Sequence, residues 1–106
     1  MIKVIVVDDE RFVRMGIVGE TDWASLGCEV VGEAENGVDA LELVHKKNPD
    51  LMICDIRMPK MNGLEMLKKL REEKNPVQVI FLTAYSEFSY AREALKLYAF
   101  DYLLKP

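Results

Sequence analysis

Leu51-Met52-Ile53-Cys54-Asp55-Ile56-Arg57-Met58-Pro59-Lys60-Met61-Asn62-Gly63 is the stretch that decides the fold. It opens on a short unbroken apolar run, as expected of a strand covered on both faces in a parallel sheet. Asp55 ends the run with a charge. A loop punctuated by Pro59 follows. Asn62 then starts a helix, with Glu65 three residues on in the manner of a capping box. Leu64, Leu67 and Leu70 form the helix's inward face. The stretch is one strand-loop-helix unit with an acid at the strand's carboxyl end.

The same unit recurs on either side. Upstream, the β-branched run Ile2 to Val7 is cut off by Asp8-Asp9-Glu10. Phe12/Met15 and Val13/Ile17 recur at helical spacings and predict a first helix. The pattern breaks between Gly19 and Gly27, where Asp22 is placed to cap a short turn through Trp23 and Leu26 that Gly27 ends. Glu29 to Glu33 reads as a second strand. Asn36 caps a second helix whose Val38, Leu41 and Val44 share a face, and Asn48-Pro49 stops it. Downstream, Val77 to Leu82 is a fourth strand. Ser86 caps a fourth helix carrying Phe88, Ala91, Leu95 and Tyr98 on one side. Asp101 to Leu104 is a fifth strand, followed by Lys105-Pro106. Strands alternating with helices imply a parallel sheet with right-handed crossovers and helices on both faces. The expected fold is α/β: a flavodoxin-like, doubly wound five-stranded parallel sheet in the order 2-1-3-4-5, its switch point between the first and third strands.

The 106 residues suit one domain, 1–106. Half are hydrophobic and 30% are charged, an ordinary globular balance. The net charge of −4 argues against nonspecific nucleic-acid binding by this domain. No apolar run approaches the roughly 20 residues of a membrane span, and Met1 to Val7 is too short and too soon acidic for a signal peptide. A cytoplasmic location is expected. Cys28 and Cys54 show neither metal-site nor C-x-x-C spacing, and no disulfide is expected.

The polar residues that interrupt apolar runs fall at one kind of place. Asp8 and Asp9 follow the first strand, Asp55 the third, Thr83 the fourth and Lys105 the fifth. Carboxyl ends of parallel strands are where open α/β sheets put their sites. Taken singly, each residue is most simply a cap, a turn residue or a solvated charge. All of them at the same edge of one sheet is a coincidence those readings do not explain. Converging carboxylates repel, and a hard divalent cation compensates; Mg²⁺ favours one or two carboxylates with retained waters. With an ammonium and a hydroxyl added, this is the equipment of phosphoryl transfer, where positioning and charge stabilisation do most of the catalysis.

Four stretches, VVDDE (6–10), ICDIRMPKMNG (53–63), FLTAY (81–85) and DYLLKP (101–106), together resemble the receiver domain of bacterial two-component response regulators. The resemblance runs from Lys3 to Pro106. It implies that Asp55 accepts a phosphoryl group from a sensor histidine kinase as an acyl phosphate. It implies Mg²⁺ as the cofactor, held by Asp9 and Asp55 directly, by Asp8 through water and by the backbone carbonyl of Arg57. Lys105 would pair with phosphoryl oxygens, Thr83 would move toward them, and Tyr102 would rotate inward as it does. A cis peptide at Lys105–Pro106 is a further family trait. Phosphorylation adds a charge of about −1.5 to −2 at the acidic edge, and the face of the fourth helix and fifth strand answers by a population shift.

Receivers usually carry a fifth helix after the Lys-Pro, and this chain stops there, so apolar surface on one sheet face is expected to lie uncovered. An output domain is expected beyond Pro106. The stretch 83–106 is most similar to receivers joined to AraC-type helix-turn-helix DNA-binding domains. A homodimer through the uncovered face is one arrangement this leaves open. Bulky Arg57 and Tyr85, each two residues after a site residue, are expected to slow loss of the phosphoryl group. His45, the single histidine, sits beside Lys46 and Lys47 near a helix end, where a cation is ordinary. The run 68–74 reads as a solvated face, Met58, Met61 and Met66 as packing residues, and Trp23 as core or staple. Two other function classes share parts of this pattern. A Mg²⁺-dependent phosphohydrolase with an aspartyl nucleophile commonly has a second aspartate two residues on, where this chain has Arg57. A pure interaction module has no use for Asp8, Asp9, Asp55, Thr83 and Lys105 together.

Overall fold

The computed structural model describes residues 1–84 and 88–104 and, within them, all side chains except those of Thr83, Phe88, Tyr90, Ala91 and Leu104. In chain order the elements are β1 (Ile2–Val7), α1 (Arg11–Glu20), β2 (Cys28–Ala34), α2 (Gly37–Lys47), β3 (Leu51–Cys54), α3 (Gly63–Glu72), β4 (Gln78–Thr83), α4 (Phe88–Lys96) and β5 (Asp101–Leu104). The strands form one sheet in the order β2-β1-β3-β4-β5, and every neighbouring pair is parallel. The expected architecture and switch point are therefore observed.

Alternate residues of each strand point to opposite faces. On one face Ile5, Val7, Met52, Cys54, Val79 and Phe81 join Ala40 and Val44 of α2, Met66, Leu67 and Leu70 of α3, and Ala94 of α4 in a single buried core. On the other face α1 packs over β1, burying Val4 and Val6 but none of its own residues completely. Ile53, Ile80 and Leu82 are half-buried there, and Leu103 is 47% exposed. Ile2, Leu51, Ile80 and Phe100 line a hollow of about 400 Å³ on that face with Asp50 and Gln78.

Helix starts follow the local chemistry. Asn36 caps α2 by accepting from the Asp39 amide at 2.8 Å. Asn62 caps α3 in a complete capping box with Glu65. Asn48 closes α2 in the left-handed conformation, φ 50°. Asp22 holds the 22–27 turn through the Ser25 amide and hydroxyl, which keep its carboxyl below the usual range. Trp23 is half-buried and donates to the Val18 carbonyl at 3.1 Å. At the far end of α3, Arg71 donates to three carbonyls, those of Asn75, Leu97 and Tyr98, and joins α3 to the end of α4. Burial lowers its pKa.

Periodicity marks apolar stripes on the helices, and the structure decides which residues turn inward. In α1 it is Val13 and Ile17 that turn inward, whereas Phe12 is 85% exposed and Met15 also lies in solvent. Helical spacing identifies stripes, and the neighbouring strand chooses between them. In α2, Val38 is exposed and Ala40 and Val44 make the core contact, because small Ala40 permits close approach to the sheet. Leu95 of α4 and Tyr98 just past its end are exposed, while Ala94 and, past the end, Leu97 pack inward. Ser86 and Tyr85 lie outside the described residues. The fourth strand begins at Gln78, one residue later than expected. Cys28 and Cys54 are both buried free thiols.

Candidate functional site

The polar residues at the β1 and β3 ends meet at the switch point. Asp8 follows β1 and is 1% exposed. Its amide donates to the Ala34 carbonyl at 3.1 Å, continuing the ladder with β2 past the last strand residue. Its Oδ1 accepts from the Glu10 amide at 2.9 Å, which folds the turn into α1. Asp9 and Glu10 are exposed. Asp8, Asp9 and Glu10 each bring a carboxylate oxygen within 4.8 Å of the others.

Asp55 lies one strand over and is 4% exposed. Its amide donates to the Val7 carbonyl at 2.9 Å, so it stands directly beside the acidic turn. Its Oδ1 accepts from the Ile56 amide at 2.8 Å, and the Cys54 thiol donates to its carbonyl at 3.0 Å. The loop after it folds back on α3, with the Gly63 amide donating to the Ile56 carbonyl at 2.8 Å. A methyl on Gly63 would lie 2.4 Å from the Asp55 carbonyl oxygen, so only glycine fits. The loop is also buttressed by α2, whose Gly37 amide donates to the Met61 carbonyl at 2.9 Å. A methyl on Gly37 would lie 2.5 Å from that oxygen.

The remaining expected residues divide. Arg57 is exposed in the loop after Asp55. Thr83 ends β4, its backbone paired with Leu104, and its side chain lies outside the described residues. Tyr102 is half-buried on β5, in register with Phe81 and packed against the core. Lys105 and the Lys105–Pro106 bond lie outside the described residues. Two residues that the sequence reading left out belong to this neighbourhood. Glu10 completes the acidic trio. Arg14 donates from Nη1 to the Asp8 carbonyl at 2.6 Å and from Nε to Glu33 Oε1 at 3.0 Å. No sequence signal marks Arg14, because its partners are a backbone carbonyl and a carboxylate on a different strand.

Residues 4–106 match the family described as the response regulator receiver domain. This chain belongs to that family. Among curated relatives, the receiver is 43% identical over 106 residues to the uncharacterized transcriptional regulatory protein YesN of Bacillus subtilis, covering all of this chain and 29% of that protein. It is 46% identical over 110 residues to the transcriptional regulatory protein BtsR of Salmonella typhimurium, covering all of this chain and 43% of that one. The receiver thus spans less than half the length of these relatives. Among solved structures, it superposes on the REC domain of AraT, a response regulator from Geobacillus stearothermophilus, with a TM-score of 0.89 and 46% identity, covering 98% of this chain and 81% of that one. A CheY from Borrelia burgdorferi, solved with CheX, BeF₃ and Mg²⁺, matches with a TM-score of 0.87 and 27% identity, over 99% of this chain and 78% of that one.

Receiver domains are switched by phosphorylation and generally bind Mg²⁺ at an acidic pocket. The donor set here suits that ion. It is all oxygen; Asp8 and Asp55 are buried while Asp9 and Glu10 open to solvent, which leaves room on that side for the waters that Mg²⁺ retains. No described helix is long and apolar enough to cross a membrane.

Proposed function

We propose that this receiver takes a phosphoryl group from a sensor histidine kinase onto Asp55. A carboxylate oxygen of Asp55 forms the new P–O bond as the P–N bond of the donor phosphohistidine breaks, and the departing imidazole nitrogen takes up a proton. The observation that carries this reading is the seating of Asp55, buried and bonded through its amide to Val7, immediately beside the Asp8–Glu10 turn. Asp9 and Asp55 would hold Mg²⁺ directly, Asp8 through water, with the Arg57 carbonyl as a further donor. The bound ion supplies positive charge opposite the phosphoryl oxygens. The Ile56 amide fixes the Asp55 carboxylate in one orientation, and Gly63 lets α3 close behind it. Lys105 and Thr83 complete the pocket on the strength of the family resemblance, and Tyr102 relays the change to the face of α4 and β5.

The rest of the protein follows from the same reading. A further helix covers Ile53, Ile80 and Leu103, and an AraC-type DNA-binding output domain lies beyond it. The greater length of relatives described as transcriptional regulatory proteins supports this. The protein works in the cytoplasm, catalyses only its own phosphorylation and dephosphorylation, and leaves DNA contact to the output domain. The solved complex of the Borrelia CheY with BeF₃ and Mg²⁺ supports the choice of ligand chemistry.

Intact-mass analysis after acetyl phosphate treatment tests the reading. One added phosphoryl group is expected with Mg²⁺ and none without it, and Asp55→Asn abolishes the gain. Equal modification of the Asp55→Asn variant would reject Asp55 as the acceptor.

A further inference from the structure

The acidic turn is held from two sides. Asp8 is tied through its amide to β2 at Ala34, and through its carbonyl to the Arg14 guanidinium of α1. Arg14 is in turn tied to Glu33, the residue of β2 just before Ala34. The side chain of Arg14 is only 16% exposed, so its guanidinium is held against the turn, while that of Glu33, 43% exposed, reaches solvent. Asp8, Arg14 and the end of β2 close a ring of hydrogen bonds, and Asp9 and Glu10 emerge from the segment it encloses.

Two effects of Arg14 on a bound cation oppose each other. Its positive charge repels an incoming Mg²⁺, so removing it would tighten binding. Its hydrogen bond orients the Asp8 peptide, so removing it would leave the carboxylates to be ordered at the moment of binding. The charge effect is small, because Glu33 already pairs with the guanidinium and the two fields largely cancel. Orientation therefore wins.

We propose that Arg14 is a positioning residue for the cation site, bracing the Asp8–Glu10 turn against β2 before the ion arrives. The inference rests on the Mg²⁺ site of the proposed function. Calorimetric titration of Mg²⁺ into the unmodified chain tests it. Arg14→Ala weakens Mg²⁺ binding roughly tenfold, at the lower end of what outer-shell partners of metal ligands contribute. Arg14→Lys, which keeps the charge but cannot span Asp8 and Glu33 together, loses nearly as much and carries the test if Arg14→Ala melts at the assay temperature. Acetyl phosphate modification of these variants slows at low Mg²⁺ and returns to the unsubstituted rate at saturating Mg²⁺, which a general loosening of the fold would not produce. Unchanged or tighter Mg²⁺ binding in folded Arg14→Ala or Arg14→Lys overturns the inference alone. An unsubstituted chain that binds no Mg²⁺ overturns both it and the proposed function.

Discussion

The two faces of the sheet are built from similar residues and end in different states. Ile5-Met52-Val79 and Val7-Cys54-Phe81 are rows across one face, and all six side chains are buried beneath α2, α3 and α4. Val6-Ile53-Ile80 is the matching row on the other face, where Val6 is buried beneath α1 and Ile53 and Ile80 are only half-buried. Strand composition is alike on the two faces, so the difference comes from the number of helices above each. The closed face carries most of the stability, and the half-covered face is the place for a further packing element. Asp55 follows a strand residue of the closed face, and its loop is pinned by α2 and α3, so the Asp55 half of the site draws its rigidity from that side, as the Asp8–Glu10 turn draws its own from α1 and β2.

Substitutions can break or sharpen this contrast. Phe81→Ala removes the largest fully buried side chain of the closed face and should cost about 3–5 kcal/mol, read from urea unfolding at constant m. A loss no larger than that at Ile80 would erase the distinction between faces. Gly63→Ala drives a methyl into the Asp55 carbonyl and the Phe81 ring, and should cost about 1–3 kcal/mol. It should also slow acetyl phosphate modification, since the strain falls on the loop that holds Asp55; an unaffected rate would separate the loop from the site. Ile80→Ala, next to Phe81 but facing the open side, should cost only about 1 kcal/mol. That value should rise in a longer form of the protein if a further helix covers the residue.

Much of the fold was legible because the strong local signals agreed. The apolar runs at 2–7, 51–54 and 101–104, and the caps at Asn36 and Asn62, reappear as β1, β3, β5, α2 and α3. Acids at strand ends were informative because strand order brings those ends together: the Asp55 amide bonds to the carbonyl of Val7, the residue just before Asp8, at the β1/β3 edge. What periodicity could not supply was which apolar stripe of a helix faces the sheet. Leu95 and Tyr98 are larger than Ala94, yet among the described side chains of α4 it is Ala94 that is buried. A small residue wins wherever a helix must lie close to its strands, and that distance is a tertiary property. Arg14 was missed for a related reason. Its acceptor is the backbone carbonyl of Asp8, a group that every residue has and no motif marks.

The two Asn-Gly pairs carry a consequence for chemical ageing. Asn-Gly is the dipeptide most prone to deamidation, in which the glycine nitrogen attacks the asparagine side-chain carbonyl and ammonia is lost. In this fold Asn36 and Asn62 are both extended, with ψ 170° and 171°, and both side-chain oxygens are engaged as helix caps. The attacking nitrogens of Gly37 and Gly63 are occupied as donors to Met61 and Ile56. Ring closure at either pair thus requires local opening of a helix start, and the shelf life of the domain is tied to how often those two turns come apart.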